Sequence, residues 1–163
     1  MDLYLVRHAW AMDRDDSRWP DDDRRPLTEE GKKRFARVAE KLADRGMGVQ
    51  VVGTSPLVRC VETARLLVAA AGNAELVELD ALRPGSDLDG LLRWTAHYAH
   101  KPEGIAWVGH APDVDRLAAA LIGDGDSLIR FAKGSVAAIR FDGPPGPGSG
   151  ELQWLVTAKV LGY

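Results

Sequence analysis

The chain has 163 residues, of which 45% are hydrophobic and 28% charged, and its formal net charge at pH 7 is −3. This composition is typical of a soluble globular protein, and we expect one domain over residues 1–163. The negative charge argues against a surface for nucleic acid or anionic lipid. A single cysteine, Cys60, excludes an intrachain disulfide and a zinc site of three or four cysteines.

The N-terminal residues show no signal-peptide pattern, and no apolar run approaches the ~20 residues of a membrane helix. We therefore expect a cytoplasmic protein without membrane contact. No long apolar surface pattern is evident, which favours a monomer.

Apolar periodicity and helix-boundary signals predict strands that alternate with helices over the first ~125 residues. The predicted elements are a strand at 3–6, a loop at 11–26, a helix from Thr28 closed by Gly46, a strand at 49–53, a helix begun by Ser55 and Pro56 and ended by Gly72, a strand at 76–79, a helix at 87–99, a strand at 105–109 and a helix from Pro112 to Gly123. Two further strands, 135–141 and 152–160, are predicted to form a hairpin.

Strand–helix alternation predicts an α/β fold, a three-layer α/β/α sandwich around a mostly parallel central sheet. Ligands of such sheets bind beyond the carboxyl ends of the strands. The residues that follow the first, second and fourth strands are therefore the candidates for function.

Two histidines and two arginines occupy those strand ends. Arg7 and His8 follow the first strand, Arg59 follows the second, and His110 follows the fourth. Because no acidic residue stands at the same strand ends, we expect an anion between these side chains. Guanidinium groups bind tetrahedral oxyanions in bidentate fashion, and a helix N-terminus adds N–H donors. The sequence thus predicts a phosphate-type anion site with two imidazoles.

Four ordered motifs within residues 3–122 resemble the histidine phosphatase superfamily, once named for phosphoglycerate mutase. The motifs are Leu5-Val6-Arg7-His8-Ala9, Arg25-Pro26-Leu27-Thr28-Glu29-Glu30-Gly31, Ser55-Pro56-Leu57-Val58-Arg59-Cys60-Val61-Glu62-Thr63-Ala64 and Val108-Gly109-His110-Ala111-Pro112. The short length and the Arg-Pro-Leu-Thr segment are most similar to the small phosphohistidine phosphatases of the SixA type.

The resemblance implies a role for each matched residue. His8 would be the nucleophile that accepts the phosphoryl group, while Arg7, Arg59 and His110 would bind the phosphoryl oxygens. Two nearby guanidinium groups would lower the pKa of His8 and keep it neutral for attack. Because arginines supply the positive charge, we expect neither a metal nor another cofactor.

The general acid of the resembling family has no clear counterpart here. Ala81 stands where some relatives have a glutamate; Asp80 and Asp87 are nearby, and Asp87 is also placed to cap a helix. Three alternatives stay open: Asp80 is the general acid, Asp87 is the general acid, or the site has none. A site without a strong acid suits the labile P–N bond of phosphohistidine, so a phosphorylated protein is the expected partner.

Other functions stay open at this point. The same chemistry could serve a small phosphoester or phosphoanhydride, and the arginines could serve a non-catalytic phosphate-binding module. Cys60 is a weak candidate for a cysteine-phosphatase nucleophile, since only four residues separate it from Arg65. The run Asp21-Asp22-Asp23 is interpreted as part of a solvated loop, because arginines surround it. Residues 126–163 carry no motif of use.

Overall fold

The computed structural model describes residues 1–98, 104–123 and 125–163. Its helices and strands are β1 (Asp2–Arg7), α1 (Glu29–Ala43), β2 (Val49–Thr54), α2 (Val58–Ala71), β3 (Glu75–Glu78), α3 (Leu88–Ala96), β4 (Gly104–Gly109), α4 (Asp113–Ile122), β5 (Val136–Arg140) and β6 (Glu151–Val156). Two short 3-10 helices lie at Asp22–Arg24 and Asp80–Leu82.

The strands form one sheet in the order β3-β2-β4-β1-β5-β6. The first four strands in that order are parallel, while β5 is antiparallel to β1 and β6 is antiparallel to β5. Parallel strands need both faces covered, because their crossovers place helices on the sheet. The α/β fold with a mostly parallel sheet is therefore confirmed.

Two apolar cores cover the two faces of the sheet and complete the three layers. On one face, α1 and α2 contribute Phe35, Val38, Leu42, Ala64 and Leu67 against the buried residues Val6, Val52 and Val108. On the other, α3 and α4 contribute Leu91, Val114, Leu117 and Leu121 against Leu5, Ile105 and Trp107. Successive strand residues alternate between the two faces, which explains why residues 3–6 of β1 and 105–108 of β4 form unbroken apolar runs.

Helix caps predicted from the sequence are present at two helices. The Thr28 side chain accepts a hydrogen bond from the Gly31 N–H at the start of α1. The Asp87 carboxylate accepts one from the Gly90 N–H at the start of α3. Each side chain satisfies a backbone donor that lacks a partner within its helix.

Three predicted boundaries are wrong. Ser55 and Pro56 do not begin α2, which starts at Val58 after an N-cap at Leu57 without a side-chain cap. Strand β6 ends at Val156, four residues before the predicted end, and residues 158–162 form turns. Helix α3 ends at Ala96, and residue 99 of the predicted helix lies outside the described residues.

The site-bearing strands are neighbours in the sheet. Strand β4 lies between β2 and β1, with Thr54 paired with Val108 and Arg7 paired with Gly109. The carboxyl ends of these three parallel strands therefore meet at one edge.

Among the described residues, no helix has the length and apolar character needed to cross a bilayer.

Candidate active site

His8 is buried directly after β1, with 9% of its surface exposed. Its Nδ1 lies 2.8 Å from the carbonyl oxygen of Ala9. A carbonyl only accepts, so Nδ1 carries the hydrogen and the neutral ring has its lone pair on Nε2. Burial lowers the pKa of His8 to about 3, with smaller contributions from His110, Arg59 and Arg7. The ring is therefore neutral at physiological pH, with the lone pair on Nε2 that a nucleophile would need.

His110 lies beside His8, with ring centroids 5.4 Å apart and an interplanar angle of 62°. Its Nε2 is 2.9 Å from the Ser55 hydroxyl and 3.5 Å from the Cys60 sulfur. Burial, followed by the charge of Arg59, lowers the pKa of His110 to about 4. Ser55 is thus a site residue rather than the helix cap that its position before Pro56 predicts.

Arg59 is 95% buried on the first turn of α2 and is held by the loop that follows β1. Its Nη1 donates to the Asp22 carbonyl at 2.8 Å, and its Nη2 lies 3.2 Å from the Asp22 carboxylate. The Nε of Arg59 is buried and has no hydrogen-bond partner within the described chain. The interpretation of Asp21–Asp23 as solvated loop is therefore wrong for Asp22, whose carboxylate contacts the site.

Arg7, the last residue of β1, is held from the opposite side of the sheet. Its Nη1 donates to the Phe131 carbonyl at 2.7 Å, and the Phe131 N–H donates to the Asp115 carboxylate at 3.0 Å. The Nε of Arg7 is also buried and lacks a partner in the described part of the chain. Segment 126–163, which carries no sequence motif, thus supplies a contact that orients Arg7.

The loop between β1 and α1 is attached to the site by side chains at both ends. Arg25 donates to the Asp22 carboxylate at 2.8 Å and to the Met12 carbonyl at 2.8 Å. The Glu62 carboxylate of α2 accepts from the Leu27 N–H at 2.7 Å. These bonds hold the loop over Arg59. The sequence contains one signal for the contact between Asp22 and Arg59. No acidic residue stands at the strand ends beside the arginines, and buried guanidinium groups need a counter-charge from elsewhere in the chain.

Neither candidate general acid has its carboxylate in the hydrogen-bond set of the two histidines. The Asp80 side chain is 88% exposed and pairs with Arg83 at 2.9 Å. Asp87 caps α3. Ala81 lies partly buried against the core under α3 and α4.

The Cys60 thiol is poorly suited to act as a nucleophile. It is fully buried, and burial raises its pKa to about 12. Only the thiolate attacks, and a pKa this high leaves almost none at neutral pH. Elsewhere in the described chain, no group of three or more His, Cys, Asp or Glu side chains is arranged to hold a metal ion.

Comparison with known proteins places this geometry in a family. Residues 3–140 match the histidine phosphatase superfamily (branch 1). The chain belongs to the histidine phosphatase superfamily. An uncharacterized protein of Picosynechococcus (SYNPCC7002_A2622) is 32% identical over 142 residues, which cover 86% of this chain and 85% of that protein.

Solved structures of phosphatases share the fold of this superfamily member. The protein histidine phosphatase SixA, complexed with tungstate, superposes with a TM-score of 0.84 at 21% identity and covers 99% of both chains. The alpha-ribazole phosphatase from Shigella flexneri superposes with a TM-score of 0.69 at 17% identity over 97% of both chains. The same architecture therefore supports phosphatases of different substrates.

Proposed function

We propose that this superfamily phosphatase removes the phosphoryl group from phosphohistidine in a protein, through a phosphorylated intermediate on His8. Arg7, Arg59 and His110 bind the phosphoryl oxygens in this proposal. No metal takes part, because the two guanidinium groups carry the positive charge that phosphoryl transfer needs.

The observation that carries the proposal is a pair of buried, unpartnered donors beside a neutral nucleophile. Within the described chain, the Nε–H groups of Arg7 and Arg59 are buried without an acceptor. Buried donors of charged groups are costly when unpaired, which points to an anionic ligand that supplies the acceptors. A phosphoryl group has three such oxygens, and the Nδ1 hydrogen bond of His8 leaves Nε2 as the attacking atom.

The reaction then runs in two balanced steps. The Nε2 lone pair of His8 forms a bond to phosphorus while the P–N bond of the substrate breaks, and the departing imidazole takes a proton from water. A water molecule next attacks phosphorus and breaks the His8–phosphorus bond, which releases inorganic phosphate. His8 returns to its neutral form.

Phosphohistidine is the substrate that best suits a site without a built-in strong acid. Asp80 is exposed, and Asp87 caps a helix. An alkoxide leaving group requires protonation by a positioned acid, whereas imidazole is a better leaving group that water can protonate. The similarity to SixA, whose structure holds the oxyanion tungstate, also supports a phosphohistidine substrate.

Trapping of the phosphorylated protein tests the proposal. The full chain is mixed with a ³²P-phosphohistidine protein in chelator, quenched briefly in acid, and compared with His8→Asn and His97→Asn. His97 is an exposed histidine whose Nδ1 lies 2.9 Å from the Arg93 carbonyl oxygen of its own helix, so it serves as the matched control. We expect acid-labile, base-stable label on the wild type and on His97→Asn, with phosphate released, and none on His8→Asn.

A panel of substrates separates this proposal from its alternatives. Turnover of sugar phosphates or phosphoserine at rates comparable to a phosphohistidine protein would overturn the substrate assignment and leave the His8 chemistry. Absence of turnover on every substrate, together with unchanged phosphate affinity in His8→Asn, would instead indicate a non-catalytic binding module.

A further inference from the structure

One buried hydroxyl of α2 joins the nucleophile segment to the phosphoryl-binding arginine. Thr63 is fully buried. Its Oγ1 accepts a hydrogen bond from the Ala9 N–H at 3.0 Å and donates one to the Arg59 carbonyl at 2.7 Å. The proton positions follow from the partners, because an amide N–H only donates and a carbonyl only accepts.

The peptide group between His8 and Ala9 is held at both of its polar atoms. The Thr63 hydroxyl binds its N–H, and the Gly134 N–H donates to its carbonyl oxygen at 3.2 Å. The next carbonyl along the chain, that of Ala9, accepts from His8 Nδ1 at 2.8 Å. A rotation of this segment would therefore displace the acceptor that sets the tautomer of His8.

A hydroxyl that bonds only to the carbonyl four residues earlier is common for threonine in helices and has no functional meaning. The second bond of Thr63, to a backbone amide of a different element, sets it apart. Thr95 of α3 is a comparable buried threonine, which accepts from the Trp107 Nε1–H at 3.1 Å. Thr95 lies in the core on the other face of the sheet, so it provides a matched case without contact to the site.

We propose that Thr63 is a positioning residue for phosphoryl transfer, which couples the orientation and tautomer of His8 to the place of Arg59 on α2. This inference rests on the proposed function, since it assigns Thr63 to the same site. The Thr63 hydroxyl bonds to backbone groups of Ala9 and Arg59, so it acts on His8 through Ala9.

The test compares Thr63→Val, Thr63→Ser and Thr95→Val in the full chain. Thr63→Val keeps the side-chain volume but leaves the Ala9 N–H without an acceptor. We expect kcat on p-nitrophenyl phosphate to fall on the order of tenfold, with little change in KM, because misplaced reacting groups lose rate rather than affinity. Thr63→Ser restores the hydroxyl and should recover most of kcat, while Thr95→Val should retain wild-type kcat.

A spectroscopic readout separates positioning from loss of stability. Long-range ¹H–¹⁵N spectra of the His8 ring should show the hydrogen on Nδ1 in wild type, Thr63→Ser and Thr95→Val, and a mixture of tautomers in Thr63→Val. Wild-type kcat and tautomer in Thr63→Val would overturn the proposal, as would a Thr63→Ser variant as impaired as Thr63→Val. If Thr63→Val does not fold, as judged by the lack of a cooperative unfolding transition, Thr63→Ala takes its place. Wild-type kcat and tautomer in Thr63→Ala, or a Thr63→Ser variant as impaired as Thr63→Ala, would then overturn the proposal.

The two proposals fail in different ways. If phosphohistidine is not the substrate, the expected differences in His8 tautomer and in p-nitrophenyl phosphate turnover among the Thr63 variants still hold. An unchanged His8 tautomer in an active Thr63→Val would remove the role of Thr63 and leave the trapping result unaffected.

Discussion

Burial is the largest cause of the lowered pKa values of both site histidines, ahead of the neighbouring charges. The pKa of His8 falls to about 3 and that of His110 to about 4. The motif predicts that guanidinium groups lower the pKa of His8; the direction is confirmed, but Arg59 and Arg7 contribute less than desolvation. Desolvation does not depend on the charge of the arginines, so this contribution to the lowered pKa of His8 persists when an anion pairs with them.

The activity should therefore be insensitive to pH where ordinary histidines titrate. Between pH 6 and pH 8, both rings stay neutral, so we expect kcat/KM to vary less than about twofold once the titration of the substrate is taken into account. The measurement is a pH series with p-nitrophenyl phosphate at constant ionic strength. An acid limb with an apparent pKa near 6.5 would contradict this prediction.

Ser55 and Ser135 are two fully buried serines with opposite environments. Ser55 is bonded to His110 at 2.9 Å, whereas the Ser135 hydroxyl has no partner in the described chain. Ser55→Ala should destabilise the fold by about 1–3 kcal/mol and lower kcat, because a buried ring nitrogen loses its partner. Ser135→Ala should cost little stability. Urea unfolding with parallel kinetics checks both, and equal losses in the two variants would contradict the prediction.

Helix α2 and the loop after β1 act as one unit at the site. The helix supplies Arg59 and Thr63, and its Glu62 carboxylate fastens the loop through the Leu27 N–H at 2.7 Å. Asp22 of the loop forms a salt bridge with Arg59. The hydrogen bond from Arg25 keeps the pKa of Asp22 below its usual range, so this carboxylate is charged at neutral pH. A phosphoryl group that binds the Nη2 of Arg59 must compete with it.

Removal of the negative charge of Asp22 should strengthen phosphate binding. We expect Asp22→Asn to lower the inhibition constant of inorganic phosphate a few-fold, because a neutral amide competes less well than a carboxylate for a guanidinium group. Asp21→Asn is the matched control, since Asp21 is an adjacent acid that bonds to the Asp23 N–H instead of Arg59. The same tightening in both variants would show a general effect of net charge and contradict the prediction.

The stability of the whole molecule should depend on the two buried histidines in mildly acidic solution. Their pKa values are about 3 and about 4 when folded, against about 6.5 for an unfolded chain. Between pH 6.5 and pH 4 the unfolded state therefore binds protons that the folded state does not, and stability falls as pH falls. Each histidine contributes a slope that approaches about 1.4 kcal/mol per pH unit in the middle of this window.

Substitution of His8 or His110 should reduce the slope of the unfolding free energy against pH. His8→Gln and His110→Gln should each flatten the dependence of the unfolding free energy on pH between pH 6 and pH 4.5, while His97→Gln, at an exposed position, should leave it unchanged. Urea unfolding at a series of pH values measures the slope. A wild-type slope in the double variant His8→Gln/His110→Gln would contradict the assignment of these two groups.

Much of the architecture was determined by short-range patterns in the sequence. Apolar runs too short for helices, caps such as Thr28 and Asp87, and stop signals such as Gly123 depend on neighbours within a few residues. The rule that ligands lie beyond the carboxyl ends of parallel strands then places Arg7, His8, Arg59 and His110 at one edge. These features follow from local chemistry and topology and do not depend on contacts between residues distant in the sequence.

Only the tertiary structure decided which side chains complete the site. Asp22 reaches Arg59 across 37 residues of sequence, Ser55 reaches His110 across 55, and Thr63 reaches Ala9 across 54. In the sequence, Asp22 resembles a loop acid, Ser55 a helix cap and Thr63 an ordinary helical threonine. Each hydrogen bond depends on how the loop and α2 pack over the sheet edge. Its two partners lie too far apart in the sequence for periodicity or a helix-boundary signal to pair them.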